Sequence, residues 1–287
     1  MGAREQILEQ FGALTPGMQS AARFIVDHPN EVVIASMRTL AEKAGAQPAT
    51  LVRLAQQLGY AGWPELKSAF ARDLGLHSAT YGERAKSLAR RGRTQDLASE
   101  LFAAQRANLD GTESAVASHL AEAVRLLRKG RTVHIAGFRA SHPIAFSLFY
   151  GYRLFRNSVL LVDSLAAGLE TQLRAVEAQD VLVVISFAPY SREALLAAER
   201  ARAVGASVLA LTDSSAAPLA LEADVVLPFS VSSPSFFPSV AAGVALTEAL
   251  LEQLVAEGGD AVVARIDRVE RELFESGAYL QPPGRRR

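Results

Sequence analysis

Five short apolar runs lie in the second half of the chain, and each is followed or preceded by a segment with helical periodicity. The runs are TVHIA (132–136), VLLV (159–162), VLVVIS (181–186), SVLAL (207–211) and VVLPF (225–229). Apolar strands that alternate with helices are typical of a parallel sheet covered on both faces. The sequence therefore predicts a parallel five-stranded α/β sandwich, closed by a long helix at about 240–256.

Polar residues follow three of these strands. In a parallel sheet ligands bind beyond the carboxyl ends of the strands, so these residues are expected at one edge. Arginine there can pair with a phosphate or carboxylate, and Ser191 can cap a helix whose N-terminus favours an anion. Serine at such turns is also common simply because it caps helices. The predicted ligand-binding residues are Gly137, Arg139, Ser141, Ser186, Tyr190, Ser191, Arg192, Glu193 and Thr212.

The same region gives little indication of catalysis. His134 lies within a predicted strand, which favours a packed core residue over a base. Glu193 could act as a base, but its favourable place at a helix N-terminus explains it equally well. The chain has no cysteine, no metal-ligand spacing, no G-x-S-x-G elbow and no P-loop. We therefore predict no catalytic residue, no metal and no cofactor.

Residues 36–67 predict two short helices joined by a tight turn. Ser36 can cap the first helix, Gly45 ends it, and Pro48 suits the start of the second, which ends at Gly59. In the second helix Leu51, Leu54, Ala55 and Leu58 fall on one face, with Thr50, Arg53 and Gln57 opposite. This is the layout of a helix-turn-helix with residues 48–58 as recognition helix. Many helical proteins that never bind DNA contain a similar pair.

The remaining patterns divide the chain into four parts. Residues 1–77 are expected to form an all-helical domain, with an extended run VVIA (32–35) before Ser36. A linker and connecting helix follow at 78–114, then the α/β domain at 115–257. Residues 258–287 are expected to form a C-terminal helix and a basic tail.

The composition indicates in which compartment the protein works, but it does not indicate what the protein binds. The formal net charge is zero over 287 residues, so overall charge does not favour nucleic acid. No apolar run reaches the length of a membrane span, and the N-terminus does not resemble a signal peptide. Together with the absence of cysteine, these features predict a cytoplasmic protein with no membrane partner.

The motifs resemble those of one family. The run LAEKAGAQPATLVRLAQQLGYAGWPELK (40–67) is similar to the helix-turn-helix signature of the RpiR (MurR/RpiR) family of bacterial transcription regulators, and residues 132–256 resemble its sugar isomerase (SIS) domain. The resemblance implies a homodimer or tetramer that binds double-stranded DNA at a palindromic operator. It also implies that the SIS domain senses a sugar phosphate or related metabolite. The predicted DNA-binding residues are Thr39, Gln47, Thr50, Arg53, Gln57 and Lys67.

Several positions depart from the family pattern. Gln47 stands where the family usually has a Ser or Thr cap. SIS domains that bind phosphosugars typically show G-x-G-x-S and S-x-S-G-x-T, whereas this chain has GFRAS (137–141) and SFAPYS (186–191). Arg139 adds a charge, and Pro189 removes a backbone N–H that could face a phosphate. We therefore expect an anionic effector held by arginine, either a sugar phosphate or a sugar acid.

Two other functions fit the same patterns. One is a sugar-phosphate isomerase with a helical appendage, which would need a base and a ring-opening acid in the site. The other is a metabolite-binding protein whose helical domain contacts another protein. Turnover of sugar phosphates would favour the first, and failure to bind DNA the second.

Overall fold

The computed structural model describes residues 2–73, 80–91, 96–165 and 168–280. The chain divides into two compact units, residues 1–79 and residues 80–287. The predicted boundary at 77/78 and the basic tail at 281–287 lie outside the described residues. Within the described part, no helix has both the length and the apolar character needed to cross a membrane.

The first unit is helical, as predicted. Its helices are α1 (Ala3–Gln10), α2 (Pro16–Asp27), α3 (Pro29–Ile34), α4 (Met37–Lys43), α5 (Pro48–Gln57) and α6 (Trp63–Asp73). They surround one apolar core, because each contributes an apolar face at helical spacing. Fully buried side chains in this core include Ile7, Ile25, Leu40, Leu51, Leu54 and Leu66.

The two helices predicted at 36–58 are present, and the residues predicted to mark their ends do so. Ser36 Oγ accepts a hydrogen bond from Thr39 N at 3.2 Å and so caps α4. Gly45 adopts φ +62°, a left-handed conformation that suits glycine, and it reverses the chain after α4. Pro48 then opens α5 at a position that lacks an intrahelical partner for an N–H.

The extended run predicted at 32–35 is wrong. Residues Pro29–Ile34 form α3, which ends before Ala35. Pro29 at the first helical position and Glu31 in the first turn favour a helix start. Val32 is fully buried in the core. Packing of this apolar residue outweighs the weak preference of β-branched side chains for strands.

The second unit begins with three helices and continues as alternating strands and helices. The helices are α7 (Tyr81–Arg91), α8 (Leu97–Val116), α9 (Leu120–Lys129), α10 (His142–Arg153), α11 (Leu169–Arg174), α12 (Arg192–Ala203), α13 (Ala241–Ala256) and α14 (Gly259–Glu275). The strands are β1 (Val133–Gly137), β2 (Val159–Val162), β3 (Val181–Ile185), β4 (Ser207–Thr212) and β5 (Val225–Pro228). All five predicted strands are present.

The strands form one parallel sheet in the order β2-β1-β3-β4-β5. The chain passes from β1 outward to β2 and then returns to β3 on the other side of β1. The loops after β1 and β3 therefore diverge, which opens a crevice between them at the carboxyl edge. The α/β architecture thus places the predicted ligand residues at this edge.

Both faces of the sheet are covered. Alternate strand residues such as Ile135, Val183 and Leu209 pack in one cluster with α9, α10 and α13. Helix α12 packs on β3 and β4, and its buried face consists mostly of alanines. His134 is buried, as expected, and its Nε2 lies 3.2 Å from Asp180 Oδ2. It is therefore part of the core and lies away from the carboxyl edge.

Candidate functional site

Helix α5 has one buried and one outward face. Leu51, Leu54 and Ala55 are fully buried against the rest of the first unit. Arg53 is exposed, and Thr50 is half-buried on the same turn. A short helix held by its apolar face, with hydroxyl and guanidinium groups outward, can enter a DNA major groove and reach base edges.

The other predicted DNA-binding residues divide into two groups. Gln47 is exposed at the start of α5 and makes no side-chain cap. The Thr39 hydroxyl lies 2.8 Å from Ser36 Oγ at the start of α4. Thr39 therefore lies at the N-terminus of α4 and Gln47 at the N-terminus of α5.

Gln57 and Lys67 make contacts within the first unit. Gln57 Nε2 donates to the main-chain oxygen of Ala13 at 3.1 Å. Lys67 Nζ donates to the main-chain oxygen of Ala35 at 3.0 Å, and partial burial lowers the pKa of its ammonium group. Both side chains therefore stabilise loops beside the helix-turn-helix. Sequence periodicity could not indicate this, since the partners are far apart in the chain.

The loop after β1 begins with a close contact. A Cβ at Gly137 would lie 2.5 Å from Ala145 Cβ, so only glycine lets α10 pack this near the strand. Ser141 is buried at the end of the same loop, immediately before α10. The loop thus presents Arg139 and Ser141 at the crevice.

Arg139 forms an ion pair across the crevice. Its Nη2 lies 2.6 Å from Glu193 Oε1, in the first turn of α12. The hydrogen bond from Arg139 lowers the pKa of the Glu193 carboxyl, and the same bond raises the pKa of Arg139. Arg139 also has φ +52°, where side chains with a Cβ are strained. The loop after β1 is therefore linked to α12 by a residue in an unfavourable backbone conformation.

The loop after β3 is held by two serines. Ser186 Oγ accepts from Ser191 N at 3.1 Å, and Ser191 Oγ accepts from Ala194 N at 3.2 Å. Ser191 therefore caps α12, as its position predicted. Arg192 is exposed at the first position of the helix.

Asp213 fixes the same loop from behind. Its carboxylate accepts hydrogen bonds from Ala188 N at 3.1 Å and from Tyr190 Oη at 2.7 Å. It also accepts from the fully buried Thr212 at 3.3 Å. Burial and the negative charge of Asp213 raise the pKa of the Tyr190 hydroxyl. Asp213 was not among the predicted site residues, although its place directly after β4 was a usable signal.

The loop between β5 and α13, residues 230–240, completes this edge and was also missed. Helix α8 holds it through Asn108 Nδ2, which donates to Ser232 O at 2.7 Å, and through Thr112 Oγ1, which accepts from Ser230 N at 3.0 Å. Arg84 Nη2 of α7 donates to Ser233 O at 2.8 Å. The many serines of the loop were the only sequence signal.

One polar side chain of this loop has no partner. Ser239 is 7% exposed, and its hydroxyl makes no hydrogen bond within the described part of the chain. Buried hydroxyl groups are usually paired, so this one marks a place for a ligand or water atom. Among the described residues, no group of His, Asp and Glu side chains has the arrangement of a metal site.

The fold and these sites define a two-part protein, with an N-terminal helix-turn-helix that implies DNA binding and a C-terminal α/β unit with a ligand crevice. Residues 1–76 match the model for the helix-turn-helix domain of the rpiR family, and residues 126–256 match the SIS domain. The chain is therefore a transcriptional regulator of the RpiR family.

Known proteins similar to the chain agree with this assignment. It is 29% identical over 219 residues to the HTH-type transcriptional regulator HexR of Pseudomonas aeruginosa, a match that covers 75% of this chain and 74% of HexR. The fold resembles the sugar isomerase domain of an RpiR transcription factor from Sphaerobacter thermophilus (TM-score 0.59, 24% identity, 62% of this chain and 99% of that one). It also resembles Vibrio vulnificus NanR complexed with ManNAc-6P (TM-score 0.58, 19% identity, 96% and 100%).

Proposed function

We propose that this regulator binds DNA through α5 and that a small anionic, sugar-derived metabolite in the crevice controls this binding. The observation that carries the proposal is the two-faced helix α5. Its buried leucines fix it to the first unit while Thr50 and Arg53 point outward. Arg53 reads a base edge, while Gln47 at the start of α5 and Thr39 in the first turn of α4 contact the DNA backbone.

The crevice supports a polar, anionic effector. Buried Ser141 and Ser186 stand at the ends of neighbouring strands, and Arg139 supplies a cation at the mouth. Hydroxyl groups suit a sugar-derived ligand, and a guanidinium suits its phosphate or carboxylate. NanR, which has a similar fold, was solved with a sugar phosphate.

We propose that the protein regulates and does not catalyse isomerisation. Glu193, the candidate base, is ion-paired with Arg139, which lowers the pKa of its carboxyl and makes it a weaker base. We expect purified protein to turn over neither hexose nor pentose phosphates. Measurable turnover would favour the hypothesis of a sugar-phosphate isomerase.

We further propose that two copies pair through the second unit and read a palindromic operator. Phe146 and Tyr150 of α10 are about half exposed, and their rings stack with centroids 6.3 Å apart. Such exposed aromatic pairs suit burial against a second copy. Two recognition helices would then meet half-sites one helical turn apart, or a multiple of it. Light scattering on the full chain tests the dimer.

A mobility shift tests the central proposal. Full-length protein is titrated against DNA from upstream of its own gene, at fixed salt, with unrelated DNA of equal length as control. We expect selective binding that changes when the effector is added. Failure to bind either DNA would instead support a helical domain that contacts another protein.

A further inference from the structure

The loop after β3 offers few donors to an incoming anion. The N–H groups of Ser186, Ala188, Ser191 and Ala194 all donate to oxygen atoms of the protein itself. Pro189, between them, has no N–H. Phosphate-binding loops rely on backbone N–H groups directed at the ligand. In this loop the N–H groups of these four residues are directed into the protein.

A carboxylate lies immediately behind the same loop. Asp213 accepts hydrogen bonds from both Ala188 and Tyr190, so its negative charge is held in direct contact with the loop. That charge repels any anion placed there. A phosphate monoester carries about −1.5 to −2 at neutral pH, so the repulsion is up to about twice that felt by a carboxylate.

The cation on the other side of the crevice already holds a carboxylate. Arg139 pairs with Glu193, and its side chain is 74% exposed, so it is accessible to a ligand. The charged residues in the loops after β1, β3 and β4 and in the first turn of α12 are Arg139, Arg192, Glu193 and Asp213, whose formal charges cancel. A ligand carboxylate replaces the Glu193 carboxylate on Arg139 with a group of the same charge. A phosphate in that place carries more negative charge than a carboxylate does.

We infer that the effector is a polyhydroxy carboxylate, a sugar acid without a phosphate group, whose carboxylate takes the place of Glu193 on Arg139. This inference rests on the proposed sensor function of the same crevice and names its ligand class. The unpartnered Ser239 hydroxyl, in the loop that follows β5, provides one hydrogen-bond partner for the sugar hydroxyls. Asp213 and the loop that it holds select against phosphate.

Calorimetry with matched ligands tests the inference. Gluconate, galactonate and mannonate are titrated into the full-length protein, each beside the 6-phosphate of the corresponding hexose, at one pH and salt concentration. We expect the best sugar acid to bind about ten-fold or more tightly than its matched phosphate, from the charge difference alone. A hexose phosphate that binds as tightly, or three sugar acids that all fail to bind, would overturn the inference.

Two substitutions separate the contributions of the charges. Glu193→Gln removes the competitor for Arg139, and we expect sugar-acid affinity to rise by about three- to ten-fold. Asp213→Asn removes the charge behind the loop, and we expect the preference for sugar acid over phosphate to fall by about ten-fold. Circular dichroism checks that each variant is folded. Should Asp213→Asn unfold, the Glu193→Gln result decides, and unchanged or weaker sugar-acid binding would contradict the exchange.

Two substitutions of Arg139 test whether it binds the ligand carboxylate. Arg139→Lys keeps the positive charge but loses the planar donor pair that matches a carboxylate, and we expect about a ten-fold loss of sugar-acid affinity. Affinity that survives Arg139→Ala would overturn the placement of the carboxylate. The proposed function is tested separately, because DNA binding without any sugar does not depend on the ligand class. A preference for phosphate would therefore refute the sugar-acid inference and leave DNA binding intact.

Discussion

The Arg139 guanidinium reaches across the crevice to the Glu193 carboxylate, with Nη2 and Oε1 2.6 Å apart. Arg139 makes this contact from a backbone at φ +52°. Residues other than glycine adopt this conformation at a cost in energy, and such residues gather at functional sites. The resemblance to SIS motifs explains the position, since glycine is usual there. The chain thus combines a strained backbone and a charge at one residue.

Arg139→Gly should give a protein more stable than Arg139→Ala by about 1 kcal/mol. Both variants lose the exposed ion pair with Glu193, so this loss is the same in both. Only glycine also removes the Cβ from the left-handed conformation. Urea unfolding of the two full-length variants measures the difference. An alanine variant that is equally stable would show that residue 139 is not strained.

Gln47→Ser should stabilise the first unit by about 0.5–2 kcal/mol. Gln47 has the extended backbone of an N-cap, with φ −88° and ψ 147°, but its side chain makes no cap. A serine hydroxyl can accept from an N–H of the first turn of α5. The reciprocal variant is Ser36→Ala, which removes the existing cap of α4 and should lower stability by a similar amount. Thermal unfolding compares them, and a neutral Gln47→Ser would mean that Pro48 already satisfies this helix start.

Asn108→Ala should destabilise the second unit by about 1–3 kcal/mol. Asn108 is 3% exposed, and its amide donates to Ser232 O. Without it a sheltered carbonyl loses its donor and a small cavity forms. Ser114→Ala, on the exposed side of the same helix, is the matched control and should change stability by less than about 0.5 kcal/mol. Equal effects in denaturant unfolding would assign the loss to α8 and not to the loop.

Asp180 should make the protein less stable in acid. Burial acts to raise the pKa of its carboxyl, but hydrogen bonds from Arg131, the main chain of Glu177 and His134 outweigh burial and lower it below 3.8. Because the folded pKa is below the unfolded one, the stabilisation is complete above about pH 4 and is lost as the pH falls through the folded pKa.

Asp180→Asn should therefore lower stability at neutral pH, by about 1–3 kcal/mol, and the difference from wild type should shrink below about pH 4. Urea unfolding at several pH values measures both. Asp260→Asn, at an exposed carboxyl of α14, is the control and should follow the wild type. A difference that stays constant with pH would mean that the Asp180 carboxyl has its ordinary pKa.

Arg53→Ala should weaken operator binding by about 1–3 kcal/mol and relax the preference at one base pair. Arg53 is the exposed guanidinium on the outward face of α5. Mobility shifts with operators mutated one position at a time measure both effects. Arg53→Lys, which keeps the charge, should retain non-specific affinity but lose the base preference. A uniform loss on all sequences would instead make Arg53 a phosphate contact.

Local patterns were enough to predict most of the fold. Each strand is a mostly apolar run. Ser36 caps α4, and Gly45 and Pro48 mark the turn into α5, so local residues indicate where these helices begin and end. One exception is α7 (Tyr81–Arg91), which lies in the part of the chain predicted as a linker. Another is α3, where burial of Val32 decided the structure. Burial depends on the whole helical unit and is not visible in a window of six residues.

From the sequence, the site residues could be predicted only where they directly follow the ends of strands. Asp213 binds a loop 25 residues away because β3 and β4 are neighbours, and sequence spacing does not reveal that pairing. The same holds for Gln57 and Lys67, whose amide and ammonium groups bond to main-chain oxygens in distant loops. Asn108 and Ser232 are separated by 124 positions. Such contacts follow from packing, which only the folded chain shows.

Beside a ring contact between Phe237 and Tyr81 of α7, the loop after β5 is attached to α7 and α8 by hydrogen bonds of its own main chain. The atoms involved are Ser230 N, Ser232 O and Ser233 O. Side chains of these three residues take no part in the bonds, so substitutions there can reshape the crevice while the attachment persists, except for a proline at 230. The side chains of this loop can therefore change during evolution while the loop stays attached to α7 and α8.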